Sequence, residues 1–245
     1  MILEHNANDI KSIAPNADLV FLDPPYNLGV DYGKDESDAM SKYGYLFALR
    51  EWILSASECV RPGGVVALLI SESWADDAGR AMTEFIGTRI NRIIWQERFA
   101  QYTDRKFTNE HRHLFIHQRF GLDKNTWNTE NIRVPSQRMI AGDKRAAGPR
   151  VPGDVWTVRR LQGTSNDRVK WHPCQLPPEP LETLVHAYTN VGDLVAEQFS
   201  GSGSLARVAL RLGRRYIGCD TNPEYVESAN ARLASEGLLE AGATL

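Results

Sequence analysis

The stretch from Asp193 to Asp220, DLVAEQFSGSGSLARVALRLGRRYIGCD, gives the clearest indication of the fold. Its apolar and small residues predict a strand, a helix and a second strand in turn. These elements are expected at Asp193–Phe199, Ser204–Leu212 and Arg215–Cys219. A strand, a helix and a strand in this order form the repeating unit of a parallel sheet.

The loop between the first strand and the helix, Phe199-Ser200-Gly201-Ser202-Gly203-Ser204, predicts a ligand site. Glycines let the backbone turn sharply and approach a ligand, and the helix after them offers free N–H groups to a negative group. Asp220 ends the next strand, where a carboxylate can accept both hydroxyls of a ribose. The combination favours a nucleoside-cofactor site, and an ordinary strand-to-helix turn is the alternative.

The rest of the chain continues the alternation of strands and helices. The periodicity predicts strands at Ala17–Leu22, Val65–Ile70, Ile90–Trp95 and His113–His117, and helices at Tyr45–Val60, Ala75–Ile86, Glu179–Tyr188 and Asn222–Leu233. This pattern predicts an α/β protein with a mostly parallel sheet covered on both faces.

Composition excludes several classes of protein. The 245 residues are 42% hydrophobic and 24% charged, which excludes wholesale disorder. No apolar run reaches the roughly 18 residues of a membrane span, and no secretory signal opens the chain. Three widely spaced cysteines fit a reducing interior, so we expect a cytoplasmic protein.

The net charge of −3 conceals a basic segment. Residues 131–170 carry nine Lys or Arg against three Asp, which is +6, and leave −9 for the rest of the chain. This segment is rich in Gly and Pro and shows no sustained period, so it is either a solvated insertion or an arm that contacts phosphates. In the second case Trp156 and Trp171 are available for stacking. The candidate phosphate-binding residues are Arg133, Arg138, Lys144, Arg145, Arg159 and Arg160.

The tetrapeptide Asp23-Pro24-Pro25-Tyr26 follows the strand Ala17–Leu22, at the sheet edge where ligands bind in open α/β folds. The prolines fix the backbone, so the Asp23 carboxylate and the Pro24 carbonyl can form a rigid pair of acceptors. Such a pair suits an exocyclic NH₂ group of a base, and Tyr26 can stack on the base. A proline-rich end to a strand is the alternative.

Together these motifs resemble the amino-methyltransferases of DNA, which methylate N6 of adenine or N4 of cytosine. Asp23–Tyr26 is similar to their D-P-P-Y, Phe199–Gly203 to their F-x-G-x-G, and His172–Pro177 to a block that precedes the glycine loop. The catalytic motif precedes the cofactor motif, as in the beta group, whose sheet is circularly permuted.

The resemblance implies a Rossmann-like S-adenosylmethionine-dependent methyltransferase fold. Its sheet would be mostly parallel and seven-stranded with one antiparallel strand. Residues 1–245 would form a single domain, in which approximately 120–170 is an inserted target-recognition region. The implied partner is double-stranded DNA, for which the six basic residues named above become the candidate DNA-binding residues. A homodimer is left open, no membrane contact is implied, and the implied location is the cytoplasm of a bacterial or phage-infected host cell.

By the same resemblance, the catalytic residues are Asp23, Pro24, Pro25 and Tyr26. The cofactor would be S-adenosylmethionine, with no metal, held by Phe199, Ser200, Gly201, Gly203, Asp220, Glu197, Pro173 and Gln175. The sequence departs from the family at Glu197-Gln198, where Asp-Pro is common, and at Asn6, where an acid is usual.

The resemblance implies adenine as the target, because the first residue of the catalytic motif is Asp and not Ser. A cytosine-N4 methyltransferase and a non-catalytic DNA-binding module remain alternatives. His111, His113 and His117 share one face of a predicted strand, but no Cys or acid lies at ligand spacing from them, so we expect no metal site.

Overall fold

A computed structural model describes residues 1–33, 38–97, 104–105, 107–161, 165 and 167–239. Eight strands form one sheet. They are β1 (Ile2–Glu4), β2 (Ala17–Leu22), β3 (Val60–Ser71), β4 (Gly87–Glu97), β5 (His111–Arg119), β6 (Val155–Val158), β7 (Leu194–Glu197) and β8 (Arg215–Asp220).

Helices connect the strands along both faces of the sheet. They are α1 (Ile10–Ile13), α2 (Lys42–Cys59), α3 (Ala75–Phe85), α4 (Gln137–Ile140), α5 (Pro178–Tyr188), α6 (Ser204–Arg211) and α7 (Pro223–Ser235). Side chains cap several of them: the Ser41 hydroxyl accepts from Gly44 N at the start of α2, and the Asn222 side chain accepts from Glu224 N at the start of α7. Pro223 occupies the first turn of α7, where no N–H is needed.

The strand order is β1-β8-β7-β2-β3-β5-β4-β6. Strand β5 is antiparallel to both β3 and β4, and the other pairs are parallel. The chain runs outward from β2 in one direction and from β7 in the other. The boundary between β2 and β7 is therefore the topological switch point of the sheet, where the loops after two adjacent strands diverge and leave a crevice.

Two hydrophobic clusters cover the two faces of the sheet. Alternate residues of β3 divide between them, with Val65, Ala67 and Leu69 in one cluster and Val66, Leu68 and Ile70 in the other. Burying each large aliphatic side chain stabilises the fold by about 1.5–3 kcal/mol. A strand buried on both faces explains the uninterrupted apolar run that predicted it.

The predicted strands and helices are confirmed, with differences at their ends. The glycines of Arg61–Gly64 do not separate α2 from β3, because β3 already begins at Val60 and passes through Gly63 at a φ of +73°. Sequence periodicity missed two short strands. Strand β1 has only three residues, too few to show alternation, and pairs with β8 through Ile2–Glu4.

The expectations for the sheet and for the basic segment need correction. Within the described part of the chain the sheet has eight strands and not seven, because β6 in the basic segment adds to β4 as an edge strand. The segment thus contains a strand and the short helix α4, although its sequence shows no sustained period. Trp156 and Trp171 are partly buried and pack against the core.

None of the described helices is long and apolar enough to cross a membrane.

Candidate active site

A cleft of about 1070 Å³ lies at the carboxyl ends of the central strands. It is lined by Asp23–Tyr26 after β2, by Phe199–Ser202 after β7, and by Asp220 at the end of β8. Strands β2 and β7 are parallel neighbours, with Phe21 paired to Glu197, so the residues that follow them emerge side by side. Two motifs far apart in the sequence therefore meet at the switch point.

The Asp23–Tyr26 motif is held rigidly from both sides. The Tyr26 hydroxyl donates to Asp23 Oδ1 at 2.5 Å. The Pro25 carbonyl accepts from the Tyr45 hydroxyl at 2.7 Å, and the Tyr26 carbonyl accepts from Trp74 Nε1 at 2.8 Å. The motif is therefore fixed by its neighbours as well as by its prolines.

Burial governs the electrostatics of this motif. Burial raises the pKa of Asp23, while the nearby Arg112 guanidinium and the Tyr26 hydroxyl oppose that rise. The pKa of Tyr26 is raised well above its ordinary value by burial and by the Asp23 carboxylate. Tyr26 therefore remains a neutral donor toward Asp23.

Sequence reasoning missed Asp38, which orders the loop after Tyr26. Its carboxylate accepts from the backbone N–H groups of Asn27, Leu28 and Val30, at 2.5, 2.9 and 3.2 Å. Asn27 adopts a φ of +57°, which asparagine tolerates better than most residues. No motif marks Asp38 in the sequence, because its partners are backbone groups.

The glycine loop has the sharp turn that its composition predicts. Gly201 and Gly203 adopt φ values of +45° and +70°, and α6 begins at Ser204 directly after Gly203. A Cβ on Gly201 would lie 2.5 Å from His172 Nε2. The loop therefore needs glycine for close approach as well as for its backbone conformation. Phe199 packs edge-on against Trp52 at 5.1 Å between ring centroids.

Asp220 holds the glycine loop against the end of β8. One of its carboxylate oxygens accepts from Gly201 N at 2.8 Å, and the other accepts from Asn222 N at 3.0 Å. Burial raises the pKa of Asp220, and these backbone N–H groups oppose the rise. The carboxylate lines the cleft and can accept further hydrogen bonds there, because each of its oxygens can accept more than one.

Glu197 lies beneath the glycine loop and also lines the cleft. It is 3% exposed, and its carboxylate accepts from the Tyr216 hydroxyl. The Ser200 hydroxyl lies 3.0 Å from the same hydroxyl, so the three side chains brace the loop from below. Burial raises the pKa of Glu197 well above its ordinary range.

Pro173 and Gln175 line the opposite wall of the cleft. The Pro173 carbonyl accepts from Arg168 Nη2 at 3.2 Å. The Gln175 side chain accepts from Val169 N at 2.8 Å and donates to the Asp167 carbonyl at 2.7 Å. Its amide therefore fixes the end of the basic segment against the cleft wall.

The six candidate DNA-binding residues are all exposed, and they differ in their contacts. Arg160, just after β6, lines the cleft and lies 3.5 Å from Glu97 Oε2 through its Nε. Arg133 pairs with Glu130 at 3.3 Å, and Arg138 pairs with Asp143 at 2.7 Å. Arg145 Nε lies 3.6 Å from Asp143 Oδ1, and the side chains of Lys144 and Arg159 are exposed.

Sequence reasoning also missed Arg112 and Glu97. Arg112 on β5 donates from Nη1 to the Tyr26 hydroxyl at 3.2 Å and from Nη2 to Glu97 at the end of β4. The two residues lie on antiparallel neighbours, where Gln96 pairs with His111. Arg112 is the second residue of β5, between His111 and His113, so nothing in this polar end of the strand marks it in the sequence.

The fold does supply an acid to the histidines of β5. Ligand atoms of Glu72, His111 and His113 lie within 4.8 Å of one another, whereas His117 lies 3.3 Å from the Gly87 carbonyl. Arg92 Nε donates to His113 Nδ1 at 3.0 Å. Because His113 Nδ1 accepts this hydrogen bond, the proton of the neutral ring is on Nε2, which faces Glu72. The positive charge of Arg92 disfavours a metal cation beside His113.

Comparison with known proteins places the fold and the family. Among solved structures, the M1.HpyAVI crystal structure aligns with a TM-score of 0.66 at 18% identity and covers 95% of this chain and 98% of that one. The same neighbour was also solved as a complex with SAM. The cytosine-N4-specific PvuII DNA methyltransferase aligns with a TM-score of 0.70 at 13% identity, over 99% and 87% of the two chains. The protein thus has the Rossmann-like methyltransferase fold.

Sequence similarity then gives the family. Residues 17–231 match the model of the N6/N4 DNA methylase family, so the chain belongs to this family of DNA methylases. The type II methyltransferase M.HpaI of Haemophilus parainfluenzae is 30% identical over 239 residues, which are 96% of this chain and 74% of that protein. The match covers the Asp23–Tyr26 motif, the glycine loop and Asp220 together.

Proposed function

We propose that the protein transfers a methyl group from S-adenosylmethionine to N6 of adenine in double-stranded DNA. The observation that carries this proposal is the meeting of Asp23–Tyr26 with the glycine loop in one cleft. One motif offers acceptors for an amine, and the other offers a site for a nucleoside.

The residues of the cleft fit S-adenosylmethionine. The Asp220 carboxylate is held in place by two backbone N–H groups and is suited to ribose hydroxyls. Gly201 lines the cleft and packs so closely against His172 that a Cβ would not fit, so the loop presents its backbone to a ligand. Phe199, Ser200, Pro173 and Gln175 complete the wall together with Glu197. Gly203 lies outside the lining and lets the loop turn into α6.

When bound, the cofactor supplies a methyl group on a positively charged sulfur. Asp23 accepts a hydrogen of the target amine, which shifts electron density toward the nitrogen, and Tyr26 stacks on the base. The amine nitrogen would gain the methyl group as the bond of that group to sulfur breaks, and Asp23 or water would take the proton that the amine releases. The base must leave the duplex to reach Asp23, because its amine is inaccessible within the stack.

We assign residues 120–170 to target recognition within a single domain. The six candidate arginines and lysine of this segment are exposed, and Arg160 lines the cleft, so the segment offers positive charge for DNA phosphates. Adenine is favoured because the first motif residue is Asp23. Methylation of cytosine N4 is the second candidate, favoured by the fold shared with the cytosine-N4-specific PvuII enzyme.

Nucleoside mass spectrometry of unmethylated DNA incubated with the protein and S-adenosylmethionine tests the proposal. We expect N6-methyladenine from the wild type, none from Asp23→Ala, and wild-type yield from the exposed control Asp76→Asn. Cofactor affinity should be similar in all three proteins. N4-methylcytosine would overturn the choice of base. No methylated base from a wild type that binds the cofactor would overturn DNA methylation.

A further inference from the structure

Arg112 occupies an unusual position for a cation. Its side chain is 20% exposed and lies between the Tyr26 hydroxyl and the Glu97 carboxylate, which is itself 15% exposed. The guanidinium carbon also lies 5.4 Å from the Trp95 ring centroid and 6.0 Å from that of Tyr26. Among the described residues, Arg112 Nε is buried without a hydrogen-bond partner.

Hydrogen bonds connect Arg112 to Asp23 through the Tyr26 hydroxyl. Arg112 Nη1 donates to the Tyr26 oxygen at 3.2 Å, so the Tyr26 hydroxyl turns its own hydrogen toward Asp23 at 2.5 Å. Two bonds in series hold the guanidinium within about 6 Å of the Asp23 carboxylate, the range in which an opposite charge favours the ionised form. Glu97 fixes the other end of the guanidinium and is itself fixed by Trp95 Nε1 at 3.1 Å.

We propose that Arg112 is a positioning residue for methyl transfer, which orients the Tyr26 ring through its hydroxyl and serves as the fixed counter-charge of Asp23. The inference rests on the proposed function for its role in catalysis, although the contacts themselves exist without any substrate. A carboxylate that has lost its proton is the form that can accept a hydrogen from the amine and later a proton.

Other groups near Asp23 do not replace this charge. Glu197 is a second buried acid, and its repulsion disfavours ionisation of both carboxyls. Tyr32, Tyr45 and Cys174 also act electrostatically on Asp23 and are neutral when protonated. The groups that favour the carboxylate are Arg112 and the Tyr26 hydroxyl, and Arg112 is the charged one.

The first experiment follows the titration of Asp23 by NMR in protein labelled at the aspartate carboxyl carbon, with Asp23→Asn to assign the signal. We expect Arg112→Met to raise the pKa of Asp23 by about 1–2 units, because a unit charge is lost at this range. Arg112→Lys retains the charge and should keep most of the wild-type titration. Arg92→Met removes a neighbouring arginine that contacts His113 and not Tyr26, and should change nothing.

The second experiment measures the single-turnover rate of DNA methylation against pH. In Arg112→Met we expect a loss of at least tenfold at pH 7 and an acid limb displaced upward by the same 1–2 units. The double variant Arg112→Met/Glu97→Gln separates two explanations. If Arg112 only neutralised Glu97, this variant would recover the rate and the titration; a positioning role predicts that both remain impaired.

An unchanged Asp23 titration in Arg112→Met, or full recovery in the double variant, would overturn the inference. If Arg112→Met fails to fold, Arg112→Lys decides: its rate should fall, because an ammonium cannot bridge Tyr26 and Glu97, while its Asp23 titration stays near that of the wild type. A wild-type rate in Arg112→Lys would overturn the orienting role. A wild type that methylates no DNA would overturn the proposed function and leave the titration as a test of Arg112.

Discussion

Gly201→Ala tests the shape of the glycine loop most directly. Gly201 has a φ of +45°, and a Cβ there would lie 2.5 Å from His172 Nε2 and 2.9 Å from its Cε1. The imidazole has little room to retreat, because it is 7% exposed and its ring centroid lies 4.7 Å from that of Tyr225. The added methyl group therefore combines backbone strain with a steric conflict.

The size of the effect follows from these two terms. An alanine in the left-handed region costs about 1 kcal/mol, and displacing a packed side chain adds about 1–3 kcal/mol. We therefore expect Gly201→Ala to lower the free energy of unfolding by about 3 kcal/mol, which for a chain of this size lowers Tm by about 6–12 °C.

Two other glycines separate the cost of backbone strain from the cost of the steric conflict. Gly192 has a φ of +86° with nothing within 4 Å of an added Cβ, so Gly192→Ala should lower Tm by only about 2–4 °C. A Cβ on Gly203, at a φ of +70°, would lie 3.2 Å from Ala229 Cβ and 3.3 Å from Ile2 Cδ1. Gly203→Ala should therefore fall between the two.

Calorimetric unfolding and titration with S-adenosylmethionine measure both consequences. Gly192→Ala should bind the cofactor as the wild type does, whereas Gly201→Ala should bind at least tenfold more weakly, a difference of about 1.4 kcal/mol. If Gly201→Ala matched Gly192→Ala in both Tm and affinity, the reasoning about His172 and the loop would be refuted.

Three further predictions concern charge and pH. Replacing Arg159 and Arg160 together by alanine should reduce the slope of log affinity for DNA against log salt concentration by about 2. The control Arg211→Ala should not change this slope. An unaltered slope in the double variant would show that Arg159 and Arg160 lie outside the DNA interface. Burial lowers the pKa of His117 to about 4 from 6.5, so stability is present above pH 6.5 and is lost as the pH falls toward 4. Urea unfolding should show this loss at about 1 kcal/mol per pH unit for a single group, and His117→Leu should flatten the profile. The pKa of Glu197 is raised from 4.5, so its contribution to folding stability is present below pH 4.5 and is lost as the pH rises. The stability of Glu197→Gln relative to the wild type should therefore increase from pH 5 to pH 8. A decrease would contradict the raised pKa of Glu197.

Much of the fold was predictable from local sequence. The strand Ala17–Leu22 and the helix beginning near Ala75 lie where the periodicity puts them, because long apolar runs and amphipathic turns carry enough residues to define a period. Val155–Val158 was not predictable, since its four residues become a strand only by pairing with the edge strand β4.

The residues of the candidate site likewise fall into those that the sequence marks and those that it does not. Asp23–Tyr26 and Gly201 are marked by proline and glycine, whose backbone constraints are visible in any sequence. Arg112, Glu97 and Asp38 carry no such mark. Each takes its role from a partner that is distant in sequence, such as the Tyr26 hydroxyl or the N–H groups after it.

The sequence by itself determined the class of fold, the two motifs and the family, because these depend on residue types in a fixed order. The tertiary structure alone decided which side chains surround Asp23 and what charge they place there. The reason is physical: strand order at the switch point brings β2, β7 and the β4–β5 pair to one edge, and the pKa of a buried carboxyl depends on the charges within a few ångströms. Distance along the chain carries no information about those neighbours.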